Sequence, residues 1–137
     1  MSIIRKISIL VSIFFISIVS NLYAQEIKKI GKYKDWEAMV VSESTGKVCF
    51  AQSLPILQAP KSNKRDAKLF VAFRPSESIT NEVSVTPGYE FNKNNSVTAA
   101  SGKNKFKFDI KEQGFVWIAD SKIEFRMIKR MKKGSRI

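Results

Sequence analysis

The sequence predicts an all-β protein, a β-sandwich or flattened barrel of about seven short strands with one C-terminal amphipathic helix. Short segments with alternating apolar and polar residues recur along the chain, and turn-forming residues separate them. Two further segments are apolar on both faces, as strands in the centre of a sheet are. Near the end of the chain, the apolar residues change to the spacing of a helix.

The first two predicted strands form a hairpin. Residues 36–40 show the period of a half-buried strand, residues 42–47 supply turn residues, and residues 48–54 resume the strand pattern. Cys49, the only cysteine of the chain, lies in the second of these strands.

Five further strands are predicted in the middle of the chain. Residues 69–73 and 115–119 are the segments that are apolar on both faces. In a third segment, Phe106, Phe108 and Ile110 alternate with charged residues, which predicts that these three side chains face the core. This third segment covers residues 105–111, and the two remaining strands are predicted at residues 81–86 and 96–100.

The predicted helix runs from about residue 122 to about residue 133. Ser121 and Glu124 have the spacing of a capping box, in which the serine accepts from the glutamate amide and the glutamate reaches back to the serine amide. Gly134 is the expected C-terminal cap.

Residues 1–24 have the layout of a secretory signal peptide. Arg5 and Lys6 precede an apolar run over residues 7–19, and the small residue Ala24 marks the expected cleavage site. An uncleaved membrane anchor is the alternative, but the run is shorter than the roughly 20 apolar residues that span a bilayer. We therefore expect an exported protein with no transmembrane segment in its mature form.

The rest of the chain is predicted to form one domain. Residues 25–34 are polar and basic without periodicity, which predicts a flexible leader. Residues 35–137 are predicted to form a single β-sandwich domain, since a chain of this length supports one hydrophobic core.

The chain is strongly basic, with 24 Lys and Arg against 12 Asp and Glu and a formal net charge of +12. Such a charge favours anionic partners. Export argues against nucleic acid as a partner and leaves an anionic envelope surface or polymer as the candidate. A lysine-rich solvated surface explains the same composition without any partner.

The predicted helix concentrates part of this charge. At about 100° per residue, its cations fall on one arc and its apolar residues on the rest. A basic amphipathic helix of this kind can lie on an anionic membrane surface, although the same pattern fits an ordinary helix that covers a sheet. The candidate contacts with an anionic surface are Lys122, Arg126, Lys129, Arg130 and Lys133.

The composition argues against catalysis. The chain contains no histidine, which removes the usual general base, and one cysteine without histidine cannot supply the ligands of a zinc site. The carboxylates are dispersed along the sequence. We therefore expect no enzyme activity, no catalytic or metal-binding residues and no cofactor.

Cys49 has two interpretations. An odd cysteine in an exported protein can act as a reactive thiol or form an intermolecular disulfide. Alternatively, Cys49 is a small apolar residue of a strand, covered by Trp36 on the partner strand. Because Lys47 is the only neighbouring cation that would activate a thiolate, the sequence favours a buried, inert thiol.

An ordered set of short motifs resembles the invasion-associated locus B family. The resemblance covers the chain from about Gly31 onwards, and the motifs are Asp35-Trp36, residues 48–53 followed by Pro55, Lys64-Arg65-Asp66, Phe73-Arg74-Pro75, residues 81–84 and residues 131–135. It implies a small exported protein of a Gram-negative bacterium, located in the periplasm or associated with the outer membrane, all-β with a late helix. It supplies no catalytic residues, and the link of some members to host-cell invasion is an expectation only.

The resemblance also concerns the end of the chain and three charged residues. The family continues past the Lys-Gly-Ser stretch, so we expect a fragment or natural truncation that lacks a C-terminal strand pair and has an open sheet edge. Arg65, Arg74 and Glu82 form a candidate polar network near predicted strand ends. They either recognise a polar ligand or, as we prefer, Arg74 and Glu82 pair and fix neighbouring strands.

These observations predict a non-enzymatic exported envelope protein that resembles invasion-associated locus B and acts as a binding or interaction module. The alternative is a thiol-dependent redox or stress protein that uses Cys49.

Overall fold

The computed structural model describes residues 25–92 and 94–134, so the predicted signal peptide lies outside the described residues. The described chain is mostly antiparallel β-sheet with one helix near its C-terminal end, as the sequence predicts. The helix α1 spans Ser121–Met131, and a short 3₁₀ turn spans Pro75–Glu77. The strands are β1 Ile27–Tyr33, β2 Trp36–Glu43, β3 Gly46–Ser53, β4 Lys68–Arg74, β5 Ile79–Thr86, β6 Val97–Ser101, β7 Asn104–Phe108, β8 Ile110–Glu112 and β9 Phe115–Trp117.

Seven strands form one large sheet in the order β1-β2-β3-β4-β5-β9-β8, and β6 and β7 form a separate hairpin. Within the described part of the chain, the large sheet begins at β1 and ends at β8. Of the two predicted architectures, this arrangement is the β-sandwich and not the flattened barrel. The hairpin and α1 form the second layer.

The core lies between the two layers, at the β5–β9 end of the large sheet. Val83 of β5 and Val116 of β9 are fully buried, and they pack against Phe106 and Phe108 of β7 and Met127 of α1. The predicted alternation in β7 is confirmed for these two phenylalanines. No residue of β1, β2 or β3 belongs to this core cluster, so the sheet extends well beyond it.

The predicted strand over residues 105–111 is in fact two strands. β7 ends at Phe108, the Asp109 amide donates to the Trp117 carbonyl at 2.9 Å, and the next residues pair with β9 as β8. The chain therefore leaves the hairpin and joins the edge of the large sheet. Because of this change of sheet, Ile110 is 45% exposed, and the prediction that it faces the core is wrong.

The prediction of a flexible leader at residues 25–34 is also wrong, because Ile27–Tyr33 forms β1. This strand pairs along its length with β2, apart from a register shift between Lys29 and Gly31. Most of its side chains are exposed, so it lacks the apolar alternation by which a strand is recognised. Its backbone pairing to β2 and an ion pair between Lys29 and Glu37, 2.6 Å, hold it at the sheet edge.

The helix begins one residue before the predicted start, with a different cap. Asp120 is the N-cap, and its carboxylate accepts from the Lys122 amide at 2.8 Å. Ser121 is the first helical residue and not the cap, so the predicted capping box is wrong. At the other end, the Gly134 amide donates to the Arg130 carbonyl at 2.7 Å.

Candidate functional sites

The outward faces of α1 and the β6–β7 hairpin form a basic surface, called here the basic outer layer. In the hairpin, alternation points the phenylalanines of β7 into the core and its lysines outward. The Arg126 guanidinium of α1 lies 5.9 Å from the centre of the Phe106 ring of β7 and joins the two elements. The exposed cations of this surface are Lys103, Lys105, Lys107, Lys122, Arg126, Lys129, Arg130 and Lys133.

All five cations predicted as contacts with an anionic surface are therefore exposed: four lie on α1, and Lys133 lies in the turn directly after it. Among the described residues, none of the five takes part in an ion pair. Lys129 and Arg130 lie in the last turn, where positive charge stabilises the helix dipole. Lys129 and Arg130 thus also stabilise the helix, and no ion pair among the described residues neutralises any of the five cations.

The apolar face of α1 is already occupied by the core. Met127 is fully buried, and Ile123, Ile128 and Met131 pack against the core cluster. One large apolar residue, Phe125, points away and is 57% exposed. The helix can therefore contact another surface through its cations and Phe125, but not by inserting its apolar face.

The predicted polar network is divided in the structure. Arg74 Nε lies 3.5 Å from Glu82 Oε2, and Arg74 Nη1 lies 3.5 Å from Glu43 Oε2. The structure thus contains the pairing of Arg74 with Glu82 that we preferred. Arg65 is elsewhere: it exchanges hydrogen bonds with Gln58 through its backbone.

Arg65 holds the long connection between β3 and β4 against the turn that follows β5. Its guanidinium donates to the Ala59 carbonyl and lies 5.5 Å from the centre of the Tyr89 ring. In the same turn, Gly88 has a φ of +78°, and a Cβ there would lie 2.7 Å from the Asp66 amide nitrogen. We assign Arg65 to the packing of this connection.

The prediction that Cys49 is buried is wrong, because its side chain is exposed. Cys49 pairs with Val40 on β2 and Phe73 on β4, on the same face of the sheet as the core valines. The second layer covers that face only near β5 and β9, so Cys49 lies beyond the cover. Trp36, which was expected to cover the thiol, pairs with Ser53 at the other end of β3.

The opposite face of the large sheet carries four aromatic rings in a row, called here the aromatic stripe. The ring centres are 6.1 Å apart between Phe50 and Phe70, 6.0 Å between Phe70 and Phe115, and 5.7 Å between Phe115 and Trp117. All four rings are half-buried. Sequence analysis placed these residues on strands but did not identify the stripe, because it depends on which strands are neighbours.

A cleft of about 500 Å³ lies at the Trp117 end of the aromatic stripe. The first half of β5 forms one side, and β8 with the start of α1 forms the other. Three carboxylates line this acidic cleft, those of Glu82, Glu112 and Glu124. Of these residues, only Glu82 was a candidate from the sequence.

Glu124 connects the helix to the sheet in this cleft. Its side chain is 8% exposed, and Glu124 Oε1 accepts a hydrogen bond from the Val83 amide at 2.9 Å. Burial raises the pKa of the Glu124 carboxyl above its ordinary value, and the neighbouring carboxylates of Glu82 and Asp120 raise it further, while the Val83 hydrogen bond opposes them. Negative charge is therefore destabilised at this position.

Glu37 shows the opposite effect at the β1 edge. The hydrogen bond from Lys29 lowers the pKa of the Glu37 carboxyl, and a second bond from Gln52 adds to this. The group is a structural ion pair at an exposed position.

Within residues 25–92 and 94–134, no group of three Cys, Asp or Glu side chains has an arrangement that fits a metal ion. In the same part of the chain, no helix has the length and apolar character to span a bilayer.

Comparison with protein-family models, curated proteins and solved structures found no match to this chain. The resemblance to the invasion-associated locus B family therefore stays a prediction from the sequence motifs.

Proposed function

We propose that the protein is a non-enzymatic exported binding module of the bacterial cell envelope that docks on an anionic lipid surface through its basic outer layer. One observation carries the proposal: Phe125 and the five cations are exposed on α1 and in the turn directly after it, and none of the five cations takes part in an ion pair among the described residues. The predicted signal peptide and the motif resemblance support a location in the periplasm or at the outer membrane. A role in host-cell invasion is the further proposal that the resemblance brings.

The binding mode follows from the packing of α1. A free amphipathic helix buries its apolar face in the lipid, but here Met127 and its neighbours already occupy the core. Docking is therefore peripheral: cations contact headgroups while the Phe125 ring enters the interface. Each Lys or Arg close to an anionic surface contributes about 1 kcal/mol, so five give strong but salt-sensitive binding.

The test compares vesicles of neutral lipid with vesicles that contain an anionic lipid, by co-sedimentation of the purified protein. We expect binding to the anionic vesicles only, with affinity that falls as salt is added. Replacing Arg126, Lys129, Arg130 and Lys133 with glutamine should weaken binding by roughly 4 kcal/mol, or on the order of a thousandfold.

A matched control removes the same charge elsewhere, by replacing four exposed lysines of other surfaces with glutamine: Lys28, Lys32, Lys61 and Lys64. If both quadruple variants lose affinity equally, net charge alone drives the binding and the helix surface is not the site. Phe125→Ser separates lipid from a soluble polyanion. It should weaken vesicle binding and leave polyanion binding unchanged, and an unchanged vesicle affinity contradicts the lipid assignment.

A further inference from the structure

The first half of β5 has an unpaired edge in an otherwise regular sheet. On one side β5 pairs with β4 from Ile79 to Thr86. On the other side it pairs with β9 only at Ser84 and Val85. Among the described residues, no strand lies against Ile79–Val83 on that side, and the acidic cleft occupies the space.

The hydrogen bond between Val83 and Glu124 shows that a backbone donor at this edge takes a side-chain acceptor in place of a neighbouring strand. The Val83 amide points out of the edge and donates to the Glu124 carboxylate, which stands where the carbonyl of a further strand would stand. The register between β4 and β5 shifts between Glu82 and Ile79, and a bulge of this kind leaves a residue of the strand outside the ladder with β4. The cleft thus presents backbone groups that an added strand can satisfy.

The walls of the cleft select the chemistry of that strand. Trp117 and Ile110 line it with apolar surface, and Trp117 continues into the aromatic stripe. Among the described residues that line the cleft, three are glutamates and none is lysine or arginine, although the whole chain has twice as many basic as acidic residues. A cationic side chain with an apolar stem complements these walls, with its charge near Glu112 and its stem on Trp117.

We propose that the acidic cleft binds an extended, lysine-containing peptide segment of a protein partner, which adds as a strand to the β5 edge at residues 79–82, next to the Val83 amide that Glu124 already occupies. Four residues of strand span roughly 10 Å between their first and last Cα atoms, so the bound segment is short. Residues of β8 and of the first turn of α1 line the cleft together with those of β5, so the bound segment lies between these elements. Main-chain hydrogen bonds hold the segment, and the carboxylates and Trp117 select its side chains.

The test is a fluorescence titration of Trp117 in a Trp36→Phe background, which removes the other tryptophan of the chain. The probe is a capped hexapeptide of alternating valine and lysine. A second peptide has glutamate in place of lysine, and a third is the lysine peptide with every backbone amide N-methylated. We expect saturable binding of the first peptide, at least tenfold weaker binding of the second, and no binding of the third because its amides cannot donate to the β5 edge. Calorimetry on the unmodified chain checks that Trp36→Phe has not created the effect.

Two variants place the peptide in the cleft. Glu112 is exposed, so Glu112→Gln should leave the fold intact and weaken the lysine peptide by about threefold, as expected for one exposed charge. Glu26→Gln removes an exposed charge far from the cleft and should change nothing. Equal affinity for the lysine and glutamate peptides, undiminished binding of the N-methylated peptide, or no binding at millimolar concentration would each overturn the proposal. So would self-association of the protein that the lysine peptide competes away, because the occupant would then be a second copy.

Discussion

Glu124 shows how one side chain joins two elements. Its carboxylate crosses from the first turn of α1 to the Val83 amide, 41 residues earlier in the chain, and satisfies a backbone donor at an interrupted sheet edge. Burial makes the charged form of this carboxyl unfavourable, yet the residue is held in place by the hydrogen bond. The contact is therefore a structural one whose strength depends on pH.

We expect Glu124→Ala to be less stable than Glu124→Gln, and the unmodified protein to differ from both variants in the pH dependence of its stability. Glutamine retains an acceptor for the Val83 amide, whereas alanine leaves a buried donor unpaired and should lower the free energy of unfolding by about 1–3 kcal/mol. The raised pKa means that the folded state binds a proton more readily than the unfolded state. The stability of the unmodified protein relative to Glu124→Gln should therefore fall as pH rises from about 4.5 through the raised pKa.

Urea unfolding of the three proteins at several pH values between about 4 and 8 measures this difference. A stability difference between the unmodified protein and Glu124→Gln that grows as pH rises would contradict the assigned pKa direction. Equal stability of the alanine and glutamine variants would contradict the role of the hydrogen bond.

The start of α1 separates a sequence pattern from the cap that forms. Ser121 and Glu124 have capping-box spacing, but Asp120 precedes them and its carboxylate reaches the Lys122 amide. Glu124 is then free to bond to β5 instead of to the helix terminus.

We therefore expect Asp120→Ala to lower the free energy of unfolding by about 1 kcal/mol, the usual value of an N-cap. The matched variant Ser121→Ala removes a hydroxyl from an exposed first helical position, and its effect should stay within about 0.5 kcal/mol. Thermal and urea unfolding measure both. The reverse order, with Ser121→Ala the more damaging, would restore the capping box and contradict the structure.

Strands with their own apolar pattern could be predicted from the sequence, and those without one could not. β7 was predicted because Phe106 and Phe108 alternate with lysines, and this alternation indicates which side chains of the strand are buried. β1 was missed because it is held by backbone pairing to β2, and such pairing cannot be recognised from the pattern of side chains in the sequence. The break at Asp109 was missed because apolar and charged residues alternate both before and after it. The residues before it belong to the hairpin and those after it to the large sheet.

The candidate sites follow the same rule. The cations of α1 could be located from helical periodicity alone, since one element carries them all. The aromatic stripe and the acidic cleft could not, because they depend on β9 pairing with β5 over only two residues. The exposure of Cys49 was missed for a related reason, since alternation gives the face of a residue but not how far the covering layer extends.

The molecule has two surfaces of opposite chemistry. The basic outer layer lies on the side of the sheet that the hairpin and α1 cover, and the aromatic stripe lies on the other, leading to the acidic cleft at the β8 edge. A net charge of +12 is therefore distributed unevenly, with the basic residues absent from the described lining of the cleft. Under the two proposals, a lipid surface and a peptide partner would be bound at separate surfaces of the molecule.

We expect the free energy of local unfolding to differ between the two ends of the large sheet. The fully buried residues Val83, Val116 and Met127 all lie around β5, β9 and α1. At the other end of the sheet, β1 has mostly exposed side chains and pairs with β2 alone among the described strands. An element with so little buried surface opens locally at much lower free energy than the core unfolds.

Native-state hydrogen exchange tests this unevenness. Amides of β1 that bond to β2 should exchange by local opening, at a free energy at least about 2 kcal/mol below that of amides in β5 and β9, and with little dependence on denaturant. Val116→Ala should narrow the difference between β1 and β5, because a cavity at a fully buried position lowers the free energy of global unfolding without touching β1. Protection of β5 should then fall while that of β1 stays constant until the two values meet. If β1 and β5 instead show equal protection, and the substitution lowers both by the same amount, the sheet unfolds as one cooperative unit, and the pairing of β1 with β2 is as strong as the packing of the core.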